Sequence, residues 1–141
     1  MVAPAPSQTV AAAFARYPVE LQATFAAIRA LIFEVAAGSE NVGPLTETLK
    51  WGEPAYLTEA SHSGSTIRLG TVKSAPECCA VLFNCQTSLV ESFRSQFEGV
   101  FTFDKNRALI VPHGDMASAD FPRDALAQCL HSALTYHRRK R

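Results

Sequence analysis

The densest chemistry in this chain lies in Glu47-Thr-Leu-Lys50-Trp51-Gly52-Glu53-Pro54-Ala-Tyr56, which sets its single tryptophan and one of its three tyrosines beside two carboxylates and an ammonium. If Glu47 through Trp51 is extended, Glu47, Leu49 and Trp51 share one face and Thr48 and Lys50 the other. Trp51 and Tyr56 would then wall a ligand cleft with flat apolar surface, Lys50 would hold an anion, and Glu47 and Glu53 would take a cation or a hydrogen-bond donor. Gly52 and Pro54 would set the backbone bend between them. The competing reading makes Trp51 a core anchor with solvated charges around it, because large aromatics are usually core. The expected ligand-binding set is Glu47, Lys50, Trp51, Glu53 and Tyr56, with Gly52 and Pro54 as structural parts of the motif.

Other chemistries find less support. There is no P-loop, GxGxxG, nucleophile elbow or HExxH, and no catalytic residue stands out. Cys78, Cys79, Cys85 and Cys129 include no CxxC pair, and neighbours Cys78 and Cys79 would point to opposite faces of a strand, so a structural zinc site is not expected. Free thiols are the expectation in a reducing compartment. Cys79 or Cys85 could in principle pair with His113, which shares a loop with Asp115, but nothing in the sequence brings them together. His131 and His137 fall on different faces of a helix. Glu20, Glu34, Glu40, Glu47, Glu53 and Glu59 give the first sixty residues an acidic bias that reads as solvated surface. Metal ligation is left open.

These residues need elements to hold them. Ser7 can cap a helix running to about Tyr17, with Val10, Phe14 and Tyr17 on one face. Pro18 opens a second helix whose apolar stripe is Leu21, Phe25, Ile28, Ile32 and Val35, interrupted by Arg29 and Glu34 and stopped by Gly38. Gly43-Pro44 marks a turn, and strand-favouring residues follow from Thr46 to Tyr56. His62 to Ser65 is a turn, Thr66 to Val72 alternates, Pro76 ends that region, and Cys78 to Phe83 reads as a central strand. Ser88 and Glu91 match a capping box for a helix carrying Leu89, Phe93 and Phe97, closed by Gly99. Two strands flank an Asp104–Asn106 turn, Pro112 to Ala119 is a loop, and Asp120 caps a last helix with Leu126, Leu130, Ala133 and Leu134 inward.

Strands in succession without crossover helices predict an α+β fold with a mainly antiparallel sheet and helices covering one face. Residues 1–6 read as a flexible lead-in, 7–137 as one domain and 138–141 as a basic tail. The chain has 141 residues, 48% hydrophobic and 18% charged, with 13 basic and 13 acidic side chains, which excludes a disordered chain and gives no global pull toward nucleic acid or membrane. The basic tail suits the negative end of the last helix and is expected to be solvated. With no basic n-region and no long apolar run, a cytoplasmic protein is expected, monomeric or homodimeric, with a small ligand or a protein as partner and no required cofactor.

The string LKWGEPAY, preceded by a glutamate and two helices, resembles the hallmark of the DUF1801, or YdhG-like, domain family. Phe14-Ala-Arg-Tyr-Pro18, Leu31-Ile32, the strand ending at Phe83, Phe101-Thr-Phe103 and the helix after Phe121-Pro122 follow the family's order. The resemblance places Glu47, Lys50, Trp51, Gly52, Glu53, Pro54 and Tyr56 at the family's characteristic positions. It implies a small frataxin-like α+β fold. Some members are described as iron chaperones supplying iron–sulfur or haem assembly, so the resemblance adds labile iron as an alternative cargo. The sequence departs from the family where Glu53 stands for Gln or Ala and where Asn84-Cys-Gln-Thr-Ser88 replaces a Gly-containing turn.

Overall fold

The computed structural model describes residues 3–139. The first two residues of the lead-in and the last two of the basic tail lie outside them.

Helix α1 (Gln8–Ala15) begins where Ser7 Oγ accepts from the Val10 N–H at 3.2 Å, the expected cap. Pro18 precedes α2 (Val19–Ala37), which buries Leu21, Phe25, Ile28, Leu31 and Ile32 and ends at Gly38. The hydrophobic stripe makes this helix, since each large side chain removed from water contributes about 1.5–3 kcal/mol. Four strands follow: β1 (Thr46–Lys50), β2 (Glu53–Leu57), β3 (Ile67–Val72) and β4 (Ala75–Leu82). Helix α3 (Leu89–Gln96), strands β5 (Thr102–Asp104) and β6 (Ala108–Pro112), a 3-10 turn at Asp115–Ala117, α4 (Arg123–Leu134) and the short α5 (Tyr136–Arg139) complete the chain.

The six strands form one sheet in the order β1-β2-β3-β4-β6-β5, every adjacent pair antiparallel. The expected α+β fold is thus the observed one. Strand alternation divides the sheet cleanly. Tyr56, Ile67, Leu69, Cys79, Val81, Leu109 and Val111 face the helices and share a core with α2 and α4. Val72, Ala80, Leu82, Ala108 and Ile110 form a small cluster on the other face, built from strands alone. Cys78 and Cys79 point to opposite faces, as their adjacency on a strand requires.

Several local expectations are corrected. Pro76 lies inside β4 instead of ending the preceding region, at a position β6 does not reach, because that pairing starts at Cys78. The capping box at Ser88 does not form. The Leu89 N–H instead donates to Thr87 Oγ1 at 3.3 Å. Asp120 does not cap α4, which starts after Pro122 without a side-chain cap. The described part of the lead-in is anchored, its Pro4 carbonyl accepting from Arg29 Nη2 at 2.5 Å.

Candidate functional site

The hairpin β1–β2 is closed by the pair Lys50–Glu53, which leaves Trp51 and Gly52 as its two turn residues. Both have left-handed φ, 57° and 77°, as a type I′ turn demands. Trp51 therefore does not continue the strand face of Glu47 and Leu49. It stands at the hairpin tip and is 90% exposed. Pro54 bends nothing. It sits within β2 opposite Leu49, a non-hydrogen-bonded position one step from the closing pair, so its missing N–H costs no bond to β1.

The remaining motif residues divide between the two faces. Glu47 and Tyr56 are register partners on the helix side. Tyr56 is fully buried and packs edge-on against Phe33. Its hydroxyl donates to Glu47 Oε2 at 2.7 Å, and the same carboxylate takes Arg29 Nε at 2.6 Å and Nη2 at 3.0 Å. Burial first, and then the neighbouring carboxylate, push the Tyr56 phenol well above its usual range. The hydrogen bond to Glu47 holds the Arg29 guanidinium above its ordinary value against the burial that lowers it. The expectation that Tyr56 joins Trp51 in an accessible wall is corrected: one ring is sealed in the core and the other stands in solvent. Arg29, the charge that interrupts the apolar stripe of α2, is the signal that could have revealed this network, because a charge on a buried helix face needs a partner.

Glu53 and Lys50 project to the opposite face. Glu53 Oε1 pairs with Arg68 Nη1 at 2.5 Å. Its carboxylate lies directly over Gly70, where any Cβ would collide with it. Desolvation raises the Glu53 carboxyl above its ordinary value, with Arg68 and Arg107 pulling it back. Tyr17 closes this region from the helix side. Its hydroxyl donates to the Leu69 carbonyl at 2.7 Å, and burial pushes the phenol up to about 12.

A depression of about 350 Å³ opens beside these groups, lined by Lys50, Trp51, Thr66, Arg68, Phe83, Asn84, Cys85 and Arg107. Its far wall is held by loop bonds. The Phe83 N–H donates to the Arg107 carbonyl at 2.7 Å, and Asn106 Nδ2 donates to the Cys85 carbonyl at 2.8 Å. Arg94 fixes the same hairpin by donating to the Lys105 carbonyl at 2.7 Å. Among the described residues, Lys50 and Arg107 form no ion pair, while Arg68 is paired only through Nη1. Three cations thus face one space against a single carboxylate. Four other depressions, of about 230 to 450 Å³, carry neither lysine nor arginine.

Of the expected set, the structure brings Lys50 and Trp51 to this depression, with Glu53 bonded to its wall. Glu47 and Tyr56 lie elsewhere. Arg68 and Arg107 were not expected. Arg68 was legible only as the polar member of the alternating Ile67-Arg68-Leu69 run, and Arg107 only as a residue after a turn.

Cys79 and Cys129 are buried, and their thiols are pushed up to about 12 by desolvation, away from any reactive thiolate. Cys85 is exposed, and His113 lines a different depression. Among the described residues no group of three or more His, Cys, Asp or Glu could hold a metal ion, and no helix is long and apolar enough to cross a membrane. Comparison with family models, with curated proteins and with solved structures finds no match for this chain.

Proposed function

We propose that this chain is a DUF1801-type binding module for a small anionic ligand, working without catalysis, and that the ligand sits against Trp51 among Lys50, Arg68 and Arg107. The observation that carries the reading is the gathering of three cations and one exposed indole around a single depression. Its volume lies at the lower end of small-molecule sites, which run roughly 300–1000 Å³.

The backbone supports the reading. A type I′ turn favours Asn or Gly at its first central residue, and a bulky residue with left-handed φ is strained there. Strain of this kind collects where a side chain is needed at a given place. Trp51 contributes nothing to the core and stands ready to stack on a flat ligand. Delivery of iron, by contrast, would call on Glu47 and Glu53, and each is bonded to a guanidinium.

The single tryptophan is its own reporter. Titration with small organic anions should change Trp51 emission saturably, and the apparent affinity should fall as NaCl is raised. An emission spectrum that no anion shifts, paired with calorimetry showing no heat of binding, would remove the site.

A further inference from the structure

The charge arrangement in this depression distinguishes among anions. Lys50, Arg68 and Arg107 set three positive charges against Glu53, which leaves an excess of two. A carboxylate ligand would neutralise half of that excess. A phosphate monoester, which carries close to two charges near neutral pH, matches it. The donors fit too. Two guanidinium forks and an ammonium can address the oxygens of a tetrahedral anion from several directions. The Arg68 fork is spent only through Nη1.

The second half of the ligand follows from Trp51. An indole held 90% exposed at a hairpin tip, on the rim of the same depression, offers a stacking face to a planar ring. Glu53 completes the picture. Its carboxylate rests over Gly70, in space that any larger residue there would fill, and it takes part of the guanidinium that an incoming anion needs. It is an anion already bonded to the wall of the site.

Resting on the anion-binding reading above, we infer that the ligand is a phosphate monoester carried on a planar ring, as in a nucleoside monophosphate, and that Glu53 is a built-in competitor for its phosphate. Removing the Glu53 charge then strengthens binding, where an ordinary contact residue would weaken it.

The test uses adenosine 5′-monophosphate, adenosine, inorganic phosphate and benzoate as probes, read by calorimetry and by Trp51 emission. The monophosphate should bind about tenfold more tightly than any of the other three, each of which lacks the ring, the phosphate or the second charge. Glu53→Gln should tighten the monophosphate by about tenfold, and Arg107→Ala should weaken it by a similar factor. Trp51→Asn should weaken the monophosphate and leave inorganic phosphate unchanged. Lys50→Ala, at an exposed residue, replaces Arg107→Ala if that variant does not fold.

Benzoate binding as tightly as the monophosphate would overturn the phosphate assignment while leaving the anion site standing. Inorganic phosphate matching the monophosphate would overturn the ring. Weaker binding in Glu53→Gln would overturn the competitor role. Absence of binding by all four probes would overturn the anion-binding reading itself.

Discussion

Two carboxylates of one hairpin meet two arginines on opposite faces of the sheet, and the surroundings make them different objects. Glu47 and Arg29 lie on the helix side, with side chains only 12% and 11% exposed. Their bond is bidentate, the Tyr56 hydroxyl and the Pro4 carbonyl take further positions, and Arg29 also lies over the Phe33 ring at 4.8 Å. Both Glu47 carboxylate oxygens and the Tyr56 hydroxyl are committed there. Glu53 and Arg68 lie on the other face, about twice as exposed at 22% and 24%, and share only one amino group. Among the described residues, Lys50 and Arg107 stand nearby and form no ion pair. The first pair closes the fold, and the second leaves charge over. An ion pair speaks of structure when its donors and acceptors balance, and of binding when they do not.

The largest way to break that contrast is Glu47→Ala. It strands the Arg29 guanidinium and the Tyr56 hydroxyl beneath α2, and a buried pair broken on one side costs about 3 kcal/mol. Urea unfolding should show that loss. A change under about 1 kcal/mol would mean that water already compensates both groups and that the two pairs are alike.

Next comes Trp51→Asn. Asparagine tolerates left-handed φ where tryptophan is strained, so the variant should gain about 0.5–1 kcal/mol in the same measurement. It should lose ligand affinity at the same time. A destabilised variant would show that the indole packs against the fold, and the stability–binding conflict proposed at this tip would disappear.

Glu53→Gln should move stability by less than about 1 kcal/mol, because the pair is partly exposed. Its pH behaviour is more telling. The native carboxyl is raised above its ordinary value of 4.5 by desolvation, with Arg68 and Arg107 opposing, so the folded state holds its proton longer than the unfolded one. Between 4.5 and the raised native value the folded chain binds more protons, and stability therefore falls as pH rises through that window. Comparing Tm across the window should show a shallower decline in Glu53→Gln than in the parent. Equal slopes would place the cost elsewhere.

The smallest effect belongs to Arg123 and Glu34, a pair about half exposed on both sides. Glu34→Ala should change stability by less than about 0.5 kcal/mol and respond to salt. It sets the floor against which the other two pairs are judged.

Much of the scaffold could be read before folding. The spacing of Leu21, Phe25, Ile28 and Ile32 marks α2, and all four are buried. The Ser7 cap, the Gly38 stop and the central strand through Ala80 and Val81 are local signals, and each operates. The Ser88 and Asp120 caps do not form: the Leu89 N–H goes to Thr87 Oγ1 instead, and α4 starts after Pro122 with no side-chain cap. The site was only half legible. Lys50 and Trp51 declare themselves by type, but Tyr56 looks equally available until its strand partner turns out to be Glu47 and its neighbour Phe33.

Sequence alone determined the helices, the strand alternation and hence an antiparallel α+β sheet, because periodicity and turn chemistry act over a few residues. It also placed an aromatic, an ammonium and two carboxylates in one short hairpin. Tertiary structure decided which of them meet solvent. The turn at Trp51 and Gly52 sent the indole outward, α2 brought Arg29 down on Glu47, and the order β2-β3-β4-β6 set Arg68 and Arg107 beside Lys50. Charges from positions far apart in the chain add up only once a sheet has set their strands side by side, and no local pattern encodes that sum.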